Sequence, residues 1–159
     1  MKISIIAVGK IKENYIKDAI SEYSKRLSAF AKVRIIEIND EKCSENLSET
    51  EKRIVTDKEG KKIISQINKS DFVYSLAING KKLSSQDFSV QIQNNMNNGY
   101  GNLVFVIGGS LGLSNEVLEA GDFRLSFSDM TFPHQIMRLI LLEQIYRCFK
   151  IIGNEPYHK

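Results

Sequence analysis

Cysteine, histidine and proline are scarce in this 159-residue chain, with two of each. Cys43 and Cys148 are far apart and form no C-x-x-C, so neither a disulfide framework nor a zinc site is indicated. His134 and His158 are too few for a histidine-based metal centre, and no metal is expected. No stretch is Pro- or Ser-rich, repeated or of low complexity, so nothing marks an internal linker and a single domain over residues 1–159 is expected. Long apolar runs are also missing. Ile3–Val8 is only six residues long, too short for the apolar part of a signal peptide. The chain reads as cytoplasmic, with no membrane partner.

What remains is the composition of an ordinary soluble protein, 42% apolar and 26% charged, with a net charge of +3. The charge is unevenly spread. Residues 1–35 carry eight Lys/Arg against three acids, while residues 36–60 carry four against eight. A basic N-terminal face can contact phosphates, and equally a Lys-rich helix can be a solvated surface.

Short β-branched runs at Ile3–Val8, Val33–Ile38, Phe72–Ile78, Leu103–Ile107 and Phe123–Phe127 read as strands. Helical spacing fills the gaps: Lys12–Phe30, Ser48 to about Ile67 with Gly60 as a possible kink, Ser84 to about Met96, and Asn115–Ala120. Asn79–Gly80 is expected to close the third strand as a turn. Strict alternation predicts an α/β fold, a mainly parallel sheet with helices on both faces.

A long helix is expected from Pro133, with Thr131 as its N-cap. Its apolar residues, Ile136 to Ile152, cover nearly the whole circumference, interrupted by Arg138, Glu143, Arg147 and Lys150. Such a helix is buried on more than one side. It is either the central helix of a monomer or packed between its own sheet and a symmetry mate; the second reading makes a homodimer.

In parallel α/β sheets, ligands bind beyond the carboxyl ends of the strands. Leu76–Lys81, Ile107–Leu113 (IGGSLGL) and Ser126–Thr131 (SFSDMT) converge there. The glycine cluster is neither a Walker A loop nor a dinucleotide fingerprint, since its spacing and position are wrong for both. No nucleophilic triad is visible. Cys148 lies in the apolar helix and is expected to be inert, His134 reads as a structural hydrogen-bonding residue, and Glu143–Arg147 as an ordinary i,i+4 pair. The terminal Pro156-Tyr157-His158-Lys159 combines a ring, an imidazole and a cation. It is either a frayed end or a lid that stacks on a base and grips a phosphate.

Taken together, GGSLGL, the block LSFSDMTFPHQIMRLILLEQIYRCFKI and the terminal PYHK resemble the ribosomal large-subunit methyltransferase H family of the SPOUT superfamily, and the likeness spans the whole chain. The resemblance implies a C-terminal deep trefoil knot, a homodimer, and S-adenosylmethionine-dependent methylation of N3 of a pseudouridine in 23S rRNA within the assembled 70S ribosome. It places the cofactor at Leu76, Gly108, Phe127, Ser128, Asp129, Met130, Thr131 and Phe132. The aromatic–imidazole–cation tail in an expected dimer adds the hypothesis that Tyr157, His158 and Lys159 of one subunit close over the cofactor of the other, with Arg147 assisting in substrate positioning. Two alternatives stay open: a knotted methyltransferase acting on tRNA, and a non-catalytic ribosome-binding factor. A flavodoxin-like nucleotide binder fails, because Gly9-Lys10-Ile11-Lys12 after the first strand is no phosphate loop.

Overall fold

The computed structural model describes residues 1–42 and 44–157; Cys43, His158 and Lys159 lie outside these. Five strands, β1 (Lys2–Val8), β2 (Lys32–Ile38), β3 (Phe72–Lys82), β4 (Asn102–Ile107) and β5 (Phe123–Ser126), alternate with helices α1 (Asn14–Leu27), α2 (Glu49–Ile64), α3 (Ser85–Asn97), α4 (Asn115–Ala120) and α5 (His134–Ile152). The sheet order is β2-β1-β4-β3-β5, and every neighbouring pair is parallel.

The period-two geometry of a strand sorts the apolar runs into two cores. Ile3, Ile5 and Ala7 of β1, with Leu103 and Phe105 of β4, face one layer, which contains Ile16 and Ile20 of α1, Phe88 and Ile92 of α3, and Leu141 and Ile145 of α5. Ile6 and Val8, with Val104 and Val106, face the other, which contains Ile63 of α2 and Val117 of α4. Because both faces are covered, β1 and β4 are apolar at almost every position and not only at alternate ones.

Three local expectations are corrected. The first concerns the start of α5. Thr131 is not its cap: Pro133 is the N-cap, in extended geometry with no side-chain cap bond, and its carbonyl accepts from Met137 N–H at 3.0 Å. A proline fixes φ near the helical value and has no N–H to lose, so the helix starts directly behind it.

The second concerns Asn79–Gly80, which does not end β3. The strand bulges between Leu76 and Lys81, both of which pair with Leu125, and runs on to Lys82. A Cβ on Gly80 would lie 2.8 Å from backbone atoms of Arg124 and Leu125, so the residue serves close strand approach.

The third is Gly60, which does not break α2. It is buried, and a Cβ there would sit 2.3 Å from Ser114 Oγ. Its missing side chain lets α2 lie against the start of α4.

Candidate active site

Beyond the carboxyl ends of β3, β4 and β5 lies a cleft of ≈ 430 Å³. Three segments build it. The first is the β3 bulge, with Leu76 at its edge. The second is the glycine loop after β4, which folds tightly on itself: Gly109 and Gly112 form an antiparallel bridge, Gly112 N–H donates to Gly109 O at 3.0 Å, and Gly112 has φ +79°. A Cβ on Gly108 would lie 2.7 Å from the Gly112 backbone, so a larger residue would force the loop open. The third is the loop after β5, pinned where Ser126 Oγ donates to Ser128 O (3.2 Å) and Met130 N–H donates to Ser128 Oγ (3.0 Å).

Leu76, Gly108, Phe127, Ser128, Met130, Thr131 and Phe132 all line this cleft. Asp129 is not among the lining residues; its carboxylate pairs with Lys82 at the surface. The remaining wall is largely apolar, including Ile107, Leu125 and Met137, and among the described residues no Lys, Arg, Asp or Glu lines it.

The first turn of α5 forms one side of the cleft, and its anchor escaped sequence reading. Arg138, which interrupts the apolar pattern, is fully buried. Its Nη2 donates to the carbonyls of Val8 (3.0 Å) and Gly9 (2.6 Å), and its Nη1 to Glu37 Oε1 (2.8 Å). Glu37 Oε1 also accepts from Ile11 N–H at 3.1 Å. One guanidinium thus joins the ends of β1 and β2 to a helix that follows the opposite edge strand. The signal available in the sequence was a lone Arg at a position where the helix pattern demands burial.

His134 also departs from its expected structural role, since neither imidazole nitrogen hydrogen-bonds a described residue. The ring is half-buried and lines the cleft. Burial, reinforced by the Arg138 charge, holds its pKa below the ordinary imidazole value, with Asp40 opposing.

The tail residues gather elsewhere. Tyr157 O–H donates to Glu143 Oε1 at 3.2 Å, and its ring meets Tyr146 edge-on at 5.0 Å. The Arg147 guanidinium lies 4.9 Å from the Tyr157 ring centroid and pairs with Glu143 at 2.5 Å. Glu143–Arg147 is therefore the expected i,i+4 pair, joined by the tail tyrosine. Cys148, fully buried, has its thiol pKa pushed up by desolvation, which keeps it protonated and unreactive. Met137 lines the cleft, and Arg147 lies ten residues on, roughly 15 Å along the helix. Neither Tyr157 nor Arg147 is among the described residues that line the cleft.

Among the described residues, no three His, Cys, Asp or Glu side chains group so as to hold a metal ion, and no helix is long and apolar enough to cross a membrane. Residues 1–158 match the family model described as "Predicted SPOUT methyltransferase". The chain belongs to the SPOUT methyltransferase family. Its SPOUT relatives include proteins of Carboxydothermus hydrogenoformans (57% identical), Finegoldia magna (58%) and Clostridioides difficile (57%), each named ribosomal RNA large subunit methyltransferase H and each aligned over 100% of both chains. A solved structure, "a probable methylase family protein" from Haemophilus influenzae, matches 99% of this chain and 70% of its own with a TM-score of 0.57. At 10% identity that likeness concerns the fold alone.

Proposed function

We propose that this chain is an S-adenosylmethionine-dependent rRNA methyltransferase that modifies N3 of a pseudouridine in 23S rRNA, working on the assembled ribosome in the cytoplasm as a homodimer. The observation that carries the reading is a charge-poor, apolar-walled cleft built by the glycine loop and the Leu125–Phe132 segment, in a chain 57% identical end to end to a named rRNA methyltransferase.

The cleft suits the proposed cofactor on chemical grounds. Leu76, Ile107, Leu125 and Met137 can wall an adenine ring, while backbone groups around Gly108 and Ser128 can hydrogen-bond its edge and the methionine part. A sulfonium is cationic, and within one chain no Lys or Arg among the described residues lines the cleft to repel it. When bound, the cofactor supplies an already activated methyl group. The protein's share of the work is to align the target nitrogen with that methyl and exclude water.

Residues 1–159 act as one domain, and the path from β5 supports a trefoil knot near its C-terminus. β5 is an edge strand, yet the segment after it carries the chain back so that Arg138, one turn into α5, reaches the end of β1. The dimer is supported by the separation of cleft and tail. Arg147 lies far along α5 from the cleft and Tyr157 packs beside it, which fits a dimer in which the tail of one copy serves the cleft of the other. Ile136 is 37% exposed on α5, with Leu139 and Ile140 half-buried, which leaves apolar surface for that copy.

The test supplies labelled S-adenosylmethionine with ribosomes from cells lacking this gene, with their separated subunits, and with bulk tRNA. Label in 23S rRNA of whole ribosomes alone is expected. Label in tRNA would overturn the target, and no transfer together with no cofactor binding by calorimetry would overturn the enzyme reading.

A further inference from the structure

Among the described residues that line the cofactor cleft, His134 is the single ionisable side chain. It also lines a second cleft of ≈ 390 Å³, and Gly109, Ser110 and Leu111 are the other residues common to both. The imidazole therefore stands at the partition between two contiguous spaces. One suits the cofactor. The other is polar, with Asp40, Glu41, Lys42 and Glu59 on its walls, and opens beside the ends of β1 and β2.

We propose that the target pyrimidine enters the second cleft and that His134 is the catalytic base that takes its N3 proton. The inference rests on the function proposed above and adds a residue to it. An imide nitrogen that still carries its proton is a poor nucleophile, so methylation at N3 requires that the proton leave. The N3–H proton passes to an imidazole nitrogen as the N3 electron pair forms the new N–CH₃ bond. The methyl–sulfur bond breaks with its electrons remaining on sulfur, so the sulfonium becomes a neutral thioether. The imidazolium then releases its proton to water.

Three features favour His134 for this role. Neither ring nitrogen is occupied by a described residue, so one is available to accept a proton. Its position on the first turn of α5 is fixed by the Arg138 anchor one turn further on. Its environment holds the ring neutral at physiological pH, the form a base needs: burial and Arg138 on α5 depress its pKa, against Asp40 after β2. Glu41, Lys42 and Glu59 face it across the second cleft.

The chain has only two histidines, so both imidazoles can be followed by NMR in the intact wild-type protein. His134 is expected to titrate below the ordinary imidazole value of 6.5, and kcat on ribosomes is expected to rise with pH through that same midpoint. His134→Gln should lower kcat at neutral pH by about 10²- to 10⁴-fold, with cofactor affinity by calorimetry unchanged. Its rate should recover toward wild type at alkaline pH, where the imide ionises unaided. A merely structural residue would show no such recovery. A His134→Gln enzyme of wild-type rate and pH profile overturns the inference, as does an equal loss at every pH with weakened cofactor binding. A kcat midpoint unrelated to the NMR titration overturns it without any variant. Failure of the wild type itself to methylate ribosomes overturns the underlying function instead.

Discussion

Arg138 shows how a single residue can hold two ends of a fold. Its three charge-assisted hydrogen bonds reach Val8, Gly9 and Glu37 from a site with no solvent exposure. Burial draws its pKa down, and Glu37 counters that. The charge is costly to bury, and its Nε finds no partner. Replacement by methionine keeps the volume, removes that orphan donor, and strands two backbone carbonyls. Breaking a buried pair costs about 3–5 kcal/mol, and Glu37, one-third exposed, can rehydrate. Arg138→Met should therefore lose about 3 kcal/mol in urea unfolding, with an unchanged m-value, and weaken cofactor binding because the first turn of α5 shifts. The residue type was visible in the sequence as an interruption of an apolar face. Its partners were not, because they lie 101 to 130 positions away in the chain.

Between elements, space overrides propensity. Gly60 sits inside α2, where alanine would ordinarily gain about 1 kcal/mol. Yet a methyl group there would collide with Ser114 Oγ, which accepts from Val117 N–H to cap α4. Loss of that cap costs about 1 kcal/mol, and overpacking a further 1–3 kcal/mol. Gly60→Ala should thus destabilise the protein by about 1–3 kcal/mol in thermal unfolding, and the double change with Ser114→Gly should recover part of the loss. Strand periodicity revealed most of the architecture, because apolar runs at Ile3–Val8 and Leu103–Ile107 are buried on both faces. The three loops of the cleft were legible from glycine spacing and strand ends, and seven of the eight expected positions line it. What escaped was geometry set by a neighbour: Gly60 read as a kink, Asn79–Gly80 as a turn, Thr131 as a cap. The first two are decided by elements distant in sequence; the third is decided locally by Pro133.

For the whole molecule, the proposed dimer, in which one subunit's tail meets the other's cleft, would make activity a property of two chains. Deleting residues 157–159 should abolish methylation while cofactor binding, read by calorimetry, stays near wild type. Leu76→Arg, which fills the cleft, should abolish both. Mixed dimers of the two variants should regain activity, since one subunit supplies an intact cleft and the other an intact tail; permanently inactive mixtures would mean each chain uses its own tail. The Arg138 clasp has a further consequence during synthesis. The first strand leaves the ribosome with its end carbonyls unmatched, and their partner lies 129 residues behind Gly9. At about 5–20 residues per second, roughly 6 to 26 s pass before Arg138 is even made. The end of the opening strand therefore gains its Arg138 partner only once the final helix has been synthesised.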